Sequence, residues 1–215
     1  MSSLIERVQK RLMSDVTATV PHRREVILAT ALRLFSERGV QAVSTRQIAA
    51  AVGISQPSLY AHFPNKHALV SEVCVRAFQT LAAHMQSISV ERHDMGRLRA
   101  TAQAYIDFAL TQPDAYRIAF MIDEPLDDVS EGKPGAALGA GLTCFMIHRT
   151  VVAEELGEGL SEDEISILAQ SLWAGLHGLV SLMIARPEFP WAPREALISR
   201  HLDILIDAGR RFSRP

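Results

Sequence analysis

Between Ser44 and Phe63 the chain carries two short helical patterns separated by a single glycine, and this pairing restricts the fold more than any other feature. Ser44 and Gln47 stand at capping-box spacing, where hydroxyl and side-chain amide satisfy orphan backbone donors at a helix start. Ile48, Ala49 and Val52 then share one face, and Gly53 stops the helix. Ser55 caps a second helix, expected over Gln56–Phe63, with Pro57 in the first turn where a missing N–H is harmless. Pro64 and Asn65 end it. Helices of about two turns are not stable alone, so Ile48, Val52, Ile54 and Leu59 must pack on a preceding helix. Gly53 suits the tight turn that sets the two at a steep angle. The outer face of the second helix then shows Gln56, Ser58, Tyr60, Ala61 and His62, with no acidic group to repel phosphate.

The partner helix lies just upstream. Val26, Ile27, Ala31, Leu34 and Phe35 form one stripe between His22 and Arg38, and Gly39 follows at a C-cap position. Downstream, a helix from about Lys66 to Ser87 is apolar at Leu69, Val70, Val73, Ala77, Phe78 and Leu81. Leu98, Ala102, Tyr105, Ile106 and Ala109 mark another up to Gln112, and Pro113 opens a short piece through Met121. An acidic loop, Asp123 to Gly132, precedes a helix near Ala136 to Leu156. Ser161 and Glu164 form a second capping box, opening an apolar helix to about Ala185, and the proline-rich RPEFPWAP connects it to a last helix, Arg194 to Phe212. The fold class expected is all-α, about nine helices, with no strand pattern. The expected domains are an arm 1–21, a helix-turn-helix domain 22–67 and a helical domain 68–215.

Composition narrows the function. With 215 residues the chain can bury a core without disulfides or metal. The two cysteines, Cys74 and Cys144, are far apart and lack zinc-finger spacing, which suits a reducing cytoplasm. There is no run of about 18 uncharged apolar residues, so no membrane partner is expected. A net charge of −2 hides a basic front, ten Lys and Arg against five Asp and Glu up to Ser87, and an acidic remainder. A front half that binds a polyanion explains that asymmetry. The rival is a helical enzyme, but GxSxG, HExxH, GxxxxGK[ST] and a strand-junction GxGxxG are all missing.

The run TRQIAAAVGISQPSLYAHFPNKHALV, Thr45 to Val70, with LFSERGVQAVS before it, resembles the TetR family of bacterial transcriptional regulators. The resemblance implies a homodimer with an N-terminal three-helix DNA-binding domain, a linking fourth helix and a C-terminal domain for a small-molecule effector. It implies no cofactor, and a double-stranded, pseudo-palindromic operator as partner. The second short helix would enter the major groove, with Gln56 and Ser58 as base-edge candidates. Thr45, Tyr60, His62 and Lys66 match positions near phosphates, Arg46 and Pro57 are further DNA-binding candidates, and Pro57 and Ala61 depart from the commoner residues at their positions. Trp173, His177 and Gly178 resemble the Trp-His-Gly motif of one C-terminal subgroup.

The C-terminal half supplies candidates for the remaining roles. The helices 161–185 and 194–212 are the expected dimer surface, because Leu172, Leu176, Leu179, Leu182 and Met183 would leave the first apolar around most of its circumference. Pocket candidates are Tyr105, Phe108, Tyr116, Phe120, Met121, Phe145, Met146, His148, Trp173 and His177. Cys144, His148 and His177 could be read as a Cys/His metal set, but hydrogen-bonded core histidines are the preferred reading and no metal is expected. The arm 1–21, with Arg7, Lys10 and Arg11, is either a minor-groove arm or an unstructured leader.

Overall fold

The computed structural model describes residues 22–88, 96–121 and 135–213. Among them are nine α-helices and no strand: α1 (22–38), α2 (Thr45–Val52), α3 (Gln56–Tyr60), α4 (Lys66–Gln86), α5 (Arg97–Thr111), α6 (Pro113–Phe120), α7 (Ala136–Leu156), α8 (Glu162–Ala185) and α9 (Arg194–Phe212). The arm 1–21 and the acidic loop lie outside the described residues. The chain divides into two compact units between Val73 and Cys74, inside α4.

In the first unit, Ile27, Ala31, Leu34 and Phe35 of α1 are buried with Ile48 and Ala49 of α2 and Leu59 of α3. Gly39, at φ 82°, ends α1 by turning its N–H back to the Phe35 carbonyl. Both expected caps form: Ser44 makes a full capping box with Gln47, and the Ser55 hydroxyl accepts from the Ser58 N–H. Helix α3 is shorter than the sequence suggests. It stops at Tyr60, and turns carry the chain on to Phe63, whose N–H still reaches the Leu59 carbonyl at 3.0 Å. The next helix is opened by Asn65, whose Oδ1 accepts from Ala68 N–H at 2.7 Å.

The second unit is a bundle with α5 packed against α6, α7, α8 and α9. Its core joins Leu98, Val151, Val152, Leu156, Leu168, Ala169, Leu172 and Ile206. Polar groups fix the register. Arg99 reaches Asp203 at 2.6 Å and the Ser199 hydroxyl at 2.9 Å, tying α5 to α9. Glu155 of α7 accepts from the Leu98 N–H at 2.8 Å, capping α5 from another helix. Ser161 and Glu164 close the expected box at the start of α8.

Two helices, α7 and α8, are long and apolar enough by length and composition to cross a bilayer. Part of that surface is used inside the chain. Leu172, Leu176, Leu179 and Met183 of α8 are buried, which corrects the expectation that they encircle the helix. Steps of four, three and four residues keep them on one stripe, and that stripe faces the bundle. Of the five expected residues only Leu182 is exposed; it is joined by Ile167 and Trp173 on α8 and by Ile204 and Phe212 on α9.

Candidate functional site

Two places hold the candidate residues, one in each unit. In the first, Gly53 takes φ 75° and its N–H closes on the Ala49 and Ala50 carbonyls, ending α2 one residue before the chain turns into α3. The buried Leu59 and Phe63 anchor the inner side of the α3 segment. Pro57, Ser58, Tyr60 and Ala61 are exposed, and Gln56 and His62 are half-buried.

A closed polar triangle joins α2 to α3. The Thr45 and Tyr60 hydroxyls lie 3.1 Å apart, and Gln56 Nε2 donates to both, at 3.2 and 3.1 Å. These hydrogen bonds, from Thr45 first and Gln56 second, lower the Tyr60 pKa below the ordinary phenol value. Gln56 therefore has its amide nitrogen committed, and its carbonyl oxygen is what it can offer a base edge. Thr45, Tyr60 and Lys66, with Ser44 and Asn65, line one open groove of about 470 Å³. Arg46 is exposed on α2, and neither it nor His62 lines that groove. Arg24 is not spare for phosphate: it pairs with Glu72 at 2.8 Å and its guanidinium sits 4.7 Å above the Phe63 ring.

The second place is a cavity of about 950 Å³. Of the pocket candidates, Tyr105, Phe120, Phe145, His148, Trp173 and His177 line it. Tyr116 stands behind the wall, with its hydroxyl 2.6 Å from His177 Nδ1 and 2.9 Å from the Tyr105 hydroxyl. Phe108, Met121 and Met146 do not line it. Phe108 is fully buried with its ring edge-on to His84, while Met121 and Met146 are exposed. The supposed Cys/His set is split among separate partners. Cys144 donates to the Phe78 carbonyl, His148 to the Ala169 carbonyl, and His177 meets Tyr116. Among the described residues no three His, Cys, Asp or Glu are grouped to hold a metal.

Sequence reasoning missed the wall supplied by α4, which is Phe78, Leu81 and Met85, and the Thr101 hydroxyl of α5. It also missed Leu138, Gly141 and Leu142 on α7. One signal was available: the small-residue run from Ala136 to Gly141 marks a helix that something approaches closely. A Cβ on Gly141 would lie 3.2 Å from the Phe78 ring. The α4 residues carry no such mark, because an apolar stripe reads the same whether it borders core or cavity.

Comparison with known proteins agrees with this geometry. Residues 27–73 match the family model described as bacterial regulatory proteins, tetR family, and residues 98–207 match one described as the tetracyclin repressor-like C-terminal domain. The chain is 30% identical over 197 residues to the nucleoid occlusion factor SlmA of Yersinia pseudotuberculosis, covering 87% of this chain and 96% of that one. Among solved structures, the fatty acid degradation regulator FadR from Bacillus halodurans superposes with a TM-score of 0.69 at 14% identity, covering 85% of this chain and 94% of that chain. A tetR-family regulatory protein from Rhodococcus RHA1 gives 0.66 at 17% identity, with 86% and 95% covered. At such identities the structural likeness speaks for the fold alone.

Proposed function

The chain belongs to the TetR family of bacterial regulatory proteins, and from that membership we propose that it is a cytoplasmic homodimeric repressor, released from its operator by a small molecule held in the 950 Å³ cavity. The α3 segment enters the major groove, Ser58 and the Gln56 carbonyl address base edges, and Thr45, Tyr60 and Lys66 hold the backbone from the adjoining groove. Arg46 and His62 extend the same phosphate track. Two-fold symmetry through the exposed faces of α8 and α9 repeats this unit at roughly 34–36 Å, so the operator is pseudo-palindromic.

The single observation behind the ligand-release reading is that one continuous helix serves both places. Lys66, in the first turn of α4, lines the groove, and Phe78, Leu81 and Met85 further along line the cavity. A ligand that shifts α4 shifts Lys66 and the helices packed with it. A preference of about 3–4 kcal/mol for the shifted state lowers operator affinity several-hundredfold. Fluorescence anisotropy with DNA from upstream of the protein's own gene tests the DNA half. Binding is expected to be salt-sensitive and at least about a thousandfold tighter than to random duplex. Equal affinity for both would end the repressor reading.

A second reading starts from the name of the full-length relatives, nucleoid occlusion factor: a DNA binder occupying many chromosomal sites, with no effector. The cavity favours the first reading. Genome-wide occupancy separates them, one or a few promoter sites against many dispersed ones.

A further inference from the structure

Resting on the effector reading, we propose that the cavity selects an uncharged, largely apolar molecule carrying one hydrogen-bond acceptor, such as a ketone, ester or amide, with that oxygen received by His177 Nε2–H.

Among the described residues none that lines the cavity is Asp, Glu, Lys or Arg, so a carboxylate or ammonium would lose its hydration there without gaining a counter-charge. Aliphatic and aromatic side chains dominate the lining, which fits an apolar body.

The acceptor follows from proton accounting. Tyr105 Oη is 2.9 Å from Tyr116 Oη and 3.4 Å from His177 Nδ1, and Tyr116 Oη is 2.6 Å from the same nitrogen. If His177 Nδ1 carried the proton, Tyr116 would donate to Tyr105, and the Tyr105 proton would have no acceptor among the described residues. The opposite sense gives every hydroxyl proton an acceptor: Tyr105 donates to Tyr116, and Tyr116 to Nδ1. It puts the remaining imidazole proton on Nε2, an open donor at the cavity wall. Burial holds the His177 pKa below its ordinary value, which keeps the ring neutral.

Thr101, one turn before Tyr105 on α5, also borders the cavity. The residue is 1% exposed, and its hydroxyl is the one buried side-chain oxygen or nitrogen without a partner among the described residues, so it adds no donor that a ligand reaches in this arrangement of the wall.

Three isosteric probes test the proposal: 4-phenylbutan-2-one, 3-phenylpropanoate and isopentylbenzene. Each is titrated at pH 8 against the full-length Trp191→Phe protein, following Trp173 fluorescence. The ketone is expected to bind about tenfold more tightly than either of the others. In His177→Phe the ketone and hydrocarbon converge, and in Tyr116→Phe, which leaves the imidazole but frees its tautomer, the ketone's lead shrinks. Circular dichroism confirms that both variants fold. A carboxylate that binds as well as the ketone, a ketone lead that survives His177→Phe, or no binding by any probe overturns the assignment. None of these outcomes involves DNA, so a failed operator assay with an intact ketone preference would sink only the repressor reading.

Discussion

Gly53 and His148 show how much a single residue can hold. A Cβ at Gly53 would meet nothing within 4 Å, so the cost of a side chain there is conformational: φ stands at 75°. Gly53→Ala is expected to destabilise the protein by about 1–2 kcal/mol, and Gly53→Asn by less, since Asn visits left-handed backbone more readily. Thermal melts of the two variants check the order. His148 is 5% exposed and donates through Nε2 to the Ala169 carbonyl at 3.1 Å, and burial lowers its pKa from 6.5 to about 4. Between those values the unfolded chain holds more protons than the folded one. Its contribution is thus complete above pH 6.5 and is lost as the pH falls toward 4, up to about 3 kcal/mol in all. Denaturant titrations at pH 7.5 and 4.5 should show a smaller loss in His148→Gln than in the parent. Equal losses would mean that the ring is not protonated on unfolding in this window.

The helices differ in how far their roles could be read. Two substitutions, one on α4 and one on α3, separate positioning from base recognition. Lys66→Met should weaken operator and random duplex alike and reduce the salt slope by about one, whereas Ser58→Ala should cost the operator about tenfold and leave random duplex unchanged. Anisotropy at three salt concentrations measures both. Capping boxes and turn residues gave the ends of α2, α8 and α9 because those signals are local. The end of α3 was not local in this sense: Leu59 and Phe63 are both buried, and the backbone between them tightens into turns rather than another helical turn. Gln56 and Tyr60 stand four residues apart on α3, a spacing the sequence shows, but their joint contact with Thr45 was illegible, since it depends on the angle between two helices. On α8 the leucines identified a buried stripe correctly as apolar. Which neighbours would cover it depended on α5, α7 and α9, and no spacing within α8 encodes that.

At the scale of the whole molecule, the apolar residues left over by the bundle become informative. Ile167, Leu182 and Ile204 are 57%, 56% and 59% exposed, on the two helices whose symmetric pairing the operator geometry requires. Scattered exposed apolar side chains mean little, but on α8 the exposed face continues from Ile167 through Ser171, Ala174 and Leu182, a row of small and apolar groups at helical spacing. In the proposed dimer a second copy would cover it at low steric cost. Ile204→Asp puts a charge into that contact and is expected to give a monomer by sedimentation at micromolar concentration. Operator affinity should then fall by two orders of magnitude or more, because each chain brings one recognition helix, while binding to random duplex changes far less. Ile167, Ser171 and Ala174 of that α8 face also line the cavity, so the affinity of the monomer for 4-phenylbutan-2-one reports whether a second copy helps to close it. Loss of operator with retention of ketone would show that sensing is completed within one subunit and that symmetry serves the DNA. Joint loss of both would place part of the cavity wall in the partner. An unchanged dimer would move the two-fold axis away from α8 and α9.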